Sequence, residues 1–182
     1  MIIMVTNNID ILSMAEYVGL SMLTKGLSVS PLKLQKILYY IQSWHMVFFG
    51  RQNTLFSECP QAWVNGPVYP TVYHVYKTMA ANMCDHLTAD AFCQGDPVKY
   101  LQSLSARIAL SPEQSEFIES VILLYGSMSQ NKLIFLTHSE QPWAEKREGL
   151  MPFEYSEREL SLDTMYQYYK ARHDRNLAKQ IA

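Results

Sequence analysis

The side chains of this chain that could hold a metal ion lie close together: Cys84-x-His86 and Cys93, with His74 upstream. Structural zinc takes four Cys or His ligands arranged in close pairs, and none of these residues forms a pair of the required spacing. His138-x-Glu140 has the His-x-Glu order of zinc deaminases, whose chemistry also needs a downstream Pro-Cys-x-x-Cys. Here Pro60 follows Cys59 instead of preceding it, lies upstream, and no Cys-x-x-Cys occurs. Nucleophilic catalysis needs a Ser or Cys beside an oriented His. Cys59, Cys84, His45, His74 and His138 are candidates, yet no Gly-x-Ser-x-Gly elbow presents a nucleophile. Neither Gly-x-x-x-x-Gly-Lys-Ser/Thr nor Gly-x-Gly-x-x-Gly is present, so no loop to cradle phosphates is readable. The expectation is a protein with no catalytic residue, no metal ligand and no cofactor.

The elements that carry these residues read as mostly helical. Ile11, Met14, Ala15, Val18 and Met22 form an apolar stripe, with Asn7 and Asn8 as capping candidates and Lys25-Gly26 as the stop. Ser30-Pro31 opens a second helix, a serine cap followed by proline in the first turn. Its stripe is Leu34, Ile37, Leu38, Ile41, Trp44, His45 and Phe48, which places Lys33, Lys36 and Tyr40 on the surface; Gly50 ends it. Around residues 54–68, aromatic and β-branched residues broken by Pro and Gly predict a small β-hairpin or an extended element. Val72, Val75, Tyr76, Met79 and Met83 predict another helix, and residues 84–97 a surface connection. Ser111-Pro112-Glu113-Gln114 is a capping box ahead of a face made of Phe117, Ile118, Val121, Leu124 and Tyr125. A shorter helix spans roughly 129–138, Pro142 starts a further turn, and Ser156–Glu159 is a second capping box opening a C-terminal helix with Leu160, Met165, Tyr168 and Tyr169. The predicted fold is mainly α, a single domain over residues 1–182.

Composition narrows the function classes. Apolar residues make up 48% of the 182, enough for a core without metals or disulfides, while charged residues are only 18%. That low charge, with 12 tyrosines and 10 methionines, is consistent with apolar surface that a partner covers. The net charge of −2 supplies no concentrated basic surface for phosphate neutralisation. Three cysteines cannot all pair and no secretory signal precedes them, which points to reduced thiols in the cytoplasm. No apolar run approaches the ~20 residues of a membrane span.

Two local patterns bear on partners. The helices around Gly26 could be read as helix–turn–helix, with Lys33, Gln35 and Lys36 facing a groove, although the segment from Leu32 to Phe48 suits a central core helix better. Trp63-Val-Asn-Gly-Pro-Val-Tyr69 is a rigid turn flanked by Trp63 on one side and Tyr69 and Tyr73 on the other. It reads as a packed corner, or as an aromatic patch on which a partner docks.

The segment Leu32–Tyr40 (LKLQKILYY), Leu55-Phe56 with Glu58, Ala62-Trp63, Gly66-Pro67-Val68, Val72-Tyr73, Tyr76-Lys77 and Leu136-Thr137-His138 with Glu140 and Pro142-Trp143 occur in this order. The ordered set resembles the Panacea family of SocA-like antitoxins and phage-associated proteins. Asn65 stands where that family commonly has an aromatic. The resemblance implies a compact helical domain without catalytic chemistry, one that neutralises a cognate protein toxin by direct binding, encoded on a prophage or mobile element. It directs attention to Trp63, Asn65, Tyr69, Tyr73, His138 and Trp143 as partner-binding residues. The alternative is a DNA-binding regulator of a phage or toxin–antitoxin operon.

Overall fold

The computed structural model describes residues 8–181. Helix α1 (Ile11–Thr24) starts at Asp10, whose carboxylate accepts from the Ser13 amide at 2.9 Å. The cap is therefore Asp10 and not Asn8, while Asn7 lies outside the described residues. Lys25 and Gly26 end the helix, Gly26 taking the positive φ of 72° that a side chain would strain. Helix α2 (Pro31–Phe49) begins as expected: Ser30 Oγ accepts from the Lys33 amide at 3.1 Å, with Pro31 in the first turn. It differs in one decisive respect. Every residue from Pro31 to Met46 is buried, including Lys33, Lys36 and Tyr40, which a single apolar stripe would leave in solvent.

The reason is that other elements surround α2. The hairpin β1 (Gln61–Trp63) and β2 (Gly66–Val68) pairs antiparallel in the register Gln61↔Val68, Ala62↔Pro67 and Trp63↔Gly66. Gly66 at its corner has φ 99°, and an added Cβ would come within 2.7 Å of Thr137 Oγ1 and 2.8 Å of Lys36 Cε. Helix α3 (Pro70–Tyr76) is shorter than the apolar period suggests, and Met79 is exposed. Beyond it the backbone turns away to serve the start of α2: the Leu32 amide donates to Met83 O, and Leu87 N to Val29 O. Residues 84–97 are not merely a surface connection, because Leu87, Phe92 and Cys93 are buried and Phe92 fills the space over Gly19. Asp96 then caps α4 (Pro97–Ile108), a helix the sequence pattern did not signal.

Helix α5 (Pro112–Gly126) carries the expected capping box, with Ser111 and Gln114 bonded reciprocally. Ile118, Val121 and Tyr125 are buried, but Leu124 is exposed. Helices α6 (Gln130–His138) and α7 (Gln141–Ala144) follow. The second capping box does not form at Ser156. Residues there run extended beside β1, with Ala62 N donating to Arg158 O and Leu160 N to Pro60 O, both at 2.8 Å. Helix α8 (Leu162–Ile181) begins only after Ser161, whose hydroxyl accepts from Thr164 N. Sheet pairing outweighs a local cap because it satisfies backbone donors and acceptors on two segments at once.

Candidate functional site

The residues that resembled a family signature meet in space around α2. Gln35 accepts from Tyr69 N at 2.7 Å and donates to Tyr69 O at 3.3 Å. One turn pair later Gln42 does the same for the preceding segment, accepting from Leu55 N and donating to Phe56 O. Two buried amides thus serve as side-chain rungs that hold the backbone of residues 55–56 and 69 on the helix. Between them Lys36 Nζ donates to Pro67 O at 3.0 Å, fully buried beneath Gly66 and Thr137. Burial alone brings this amine down to about 7, since the charged form has no carboxylate to offset its desolvation.

Glu140, at the α6–α7 junction, is the matching buried anion. Its carboxylate accepts from Tyr169 at 2.6 Å and from Tyr39 and Tyr40 at 3.3 Å, and Arg172 lies 3.6 Å away. Burial still pushes its pKa up, against the opposing pull of the three hydroxyls and the guanidinium. The same burial raises Tyr39, Tyr40 and Tyr169. Arg172 is accordingly a partner of the core and not a solvated cation of a helix end. His138 and Glu140, two apart in sequence, have separate surroundings: His138 stacks on Trp143 at 4.0 Å, and its Nε2 is buried with no partner among the described residues. Desolvation and then the Lys36 amine lower its pKa. Cys93 is buried while Cys84 is exposed, and among the described residues no three His, Cys, Asp or Glu side chains gather to hold a metal.

The expected partner-binding residues divide. Tyr69 is fully buried against Phe56, so it belongs to the core. Trp143 is half-buried and donates its indole N–H to Trp63 O at 2.9 Å. His138, beneath it, is also half-buried; Asn65 is exposed at the hairpin corner. Trp63 and Tyr73 are half-buried and pack edge to face at 4.7 Å, with Tyr155 on the other side of Trp63 at 5.8 Å. The structure therefore brings Trp63, Tyr73 and Trp143 into one aromatic corner and extends it with a residue the sequence did not indicate.

Tyr155 belongs to a loop held by a buried cation. The Arg147 guanidinium donates to four carbonyls: Ala62 O at 3.2 Å, Glu154 O at 2.7 Å, Met151 O at 3.0 Å and Pro152 O at 3.3 Å. Its planar fork suits several acceptors at once. Arg158 adds bonds to Lys146 O and Glu148 O, and Glu154 accepts from Met151 N. With its carbonyls turned inward the loop presents its side chains outward: Met151 is 71%, Phe153 89% and Tyr155 61% exposed. A sequence signal existed in the alternation of Met151, Phe153 and Tyr155, but nothing local says that the polar side of that loop is occupied.

Helix α2 is enclosed on all sides from Pro31 to Met46, so it cannot lie in a duplex groove as a recognition helix, and Lys36 is bonded internally. Among the described residues no helix is long and apolar enough to cross a membrane. No solved structure matches the chain. Antitoxin SocA of Caulobacter vibrioides (strain NA1000 / CB15N) is 32% identical over 120 residues, 63% of this chain and 58% of the relative, so the chain spans less than two thirds of that protein's length. The antitoxin SocA-like Panacea domain matches residues 34–144, the stretch that holds Gln35, Lys36, Gly66, Glu140 and Trp143. With these residues assembled into one lattice around α2, the chain belongs to the SocA-like Panacea family.

Proposed function

We propose that this protein is an antitoxin that neutralises a protein toxin in the cytoplasm by direct, non-enzymatic binding, and that the toxin docks on the Arg147-held loop and the adjoining aromatic corner. Membership of an antitoxin family supports the role, and the name of the relative, Antitoxin SocA, supports it again. The observation that carries the assignment of the surface is the exposure of Met151, Phe153 and Tyr155 on a loop whose backbone is bonded from within. Exposing three large apolar side chains on an ordered loop is unfavourable in water, and such patches mark interaction sites. Rigid Trp and Tyr anchors beside them lose little entropy on binding.

The test is co-expression with the product of the adjacent gene, scored for growth rescue and for co-purification. Rescue by the wild-type chain, lost in Phe153→Glu and in Trp63→Ala but kept in Leu124→Glu, is the expected pattern. Leu124 is equally apolar and 56% exposed, but it sits on α5 in a separate groove with Trp44 and Phe117. Loss of rescue in Leu124→Glu alone would transfer the interface to α5. No rescue by the wild type from a toxic neighbour would overturn the antitoxin reading itself.

A further inference from the structure

We propose that the cavity between the start of α2 and the start of α6 is a binding site for a phosphate group, carried by inorganic phosphate or by a small phosphate monoester. The cavity, of about 340 Å³, is lined by Ser28, Ser30, Lys33, His86, Ser129 and Gln130 among others, and no Asp or Glu is among its lining residues. Its volume falls within the lower range of small-molecule pockets.

Lys33 carries the argument. The residue is 6% exposed and lines the cavity, and among the described residues its side chain makes no hydrogen bond; its backbone amide donates to Ser30 Oγ. Among the described residues the ammonium has neither an acceptor nor a carboxylate partner, and partial burial lowers its pKa. An enclosed side chain that opens only on this cavity, without a counter-charge among the described residues, offers its ammonium to an anion there. The surrounding groups fit an anion. Ser129 Oγ accepts from Lys132 N at 3.2 Å, leaving the first two amides of α6, Gln130 and Asn131, without intrahelical acceptors. The amides of α2 are engaged, Leu32 with Met83 O and Lys33 with Ser30 Oγ, so α2 contributes its dipole and not its donors. Ser30 Oγ donates to Gln130 Oε1 at 2.9 Å and ties the two helix starts together. A tetrahedral dianion with three acceptor oxygens matches one ammonium, several hydroxyls and helix amides better than a planar carboxylate does.

The experiment titrates the purified full chain with inorganic phosphate and, separately, with AMP in chloride buffer, read by calorimetry and thermal unfolding. Saturable binding is expected, with a rise in Tm. In Lys33→Met the anion-free protein should stay folded, and phosphate affinity should fall at least tenfold. His86→Ala, on an exposed segment, should weaken binding at least threefold without moving Tm. AMP binding tighter than phosphate would identify a monoester, and equal affinities would identify the free ion. Absence of saturable binding to wild type, or affinity unchanged in Lys33→Met, would overturn the proposal. These readouts concern ligand alone and do not depend on toxin neutralisation.

Discussion

Two buried cations, Lys36 and Arg147, organise two regions of this molecule in opposite senses. Lys36 donates to a single carbonyl, Pro67 O, inside a closed lattice, and its neighbours Gly66, Pro67 and Thr137 are buried. Arg147 donates to four carbonyls and turns the rest of its loop outward, so the same cost of burial produces an exposed apolar surface. The Panacea match ends at residue 144, ahead of Arg147. The residues that announce the family are therefore mainly the ones that hold the fold, while the loop proposed to meet the partner lies outside the match. A scaffold shared among antitoxins can in this way carry different contact surfaces, since function resides in sites grafted on folds.

The largest effect is expected from Glu140→Ala. It removes the acceptor of three buried tyrosine hydroxyls and the counter-charge of Arg172, and should cost about 3 kcal/mol, measured by urea unfolding. A loss below ~1 kcal/mol would mean that the lattice is not what holds the bundle together. Next comes Arg147→Ala, expected to cost about 2 kcal/mol, with amide exchange accelerated in residues 148–155 and toxin binding lost. If that exchange stays slow, Arg158 alone suffices to order the loop.

The third concerns pH. The unfolded chain keeps the Lys36 proton up to about 10.5, whereas the folded protein releases it at about 7. Between these values the unfolded state binds more protons, so stability rises with pH, by at most ~1.4 kcal/mol per unit. The penalty is present in full below about 7 and relieved above it. Lys36→Met should flatten unfolding free energy against pH between pH 7 and 9; an unchanged slope would place the titration elsewhere. The smallest effect on stability is Phe153→Ala, within about 0.5 kcal/mol of wild type, although binding to the toxin should weaken at least tenfold. A large loss of stability there would make the loop part of the scaffold and erase the contrast.

The lattice was only half legible. The motif residues could be named from sequence, and the turn at Asn65-Gly66 with its positive φ could be anticipated from turn chemistry. Their mutual contacts could not, because Lys36 and Pro67, or Tyr39 and Glu140, are joined across long stretches of chain. Of the residues expected to bind a partner, Tyr69 is internal, and the alternation of Met151, Phe153 and Tyr155 does not by itself say which side of the loop is covered. Side-chain type says what a residue can do, but not which side of it another element covers.

By itself the sequence determined the things that are local. The Ser30-Pro31 and Ser111-Pro112 helix starts, the stops at Gly26 and Gly50 and the hairpin corner all rest on interactions spanning a few residues. Tertiary structure alone decided that α2 is enclosed on every side, that Lys36 points inward, and that Ser156–Leu160 extends beside β1 instead of capping a helix. The physical reason is that burial and strand pairing are settled by segments distant in sequence, whose arrival can reverse a choice that the local pattern favours.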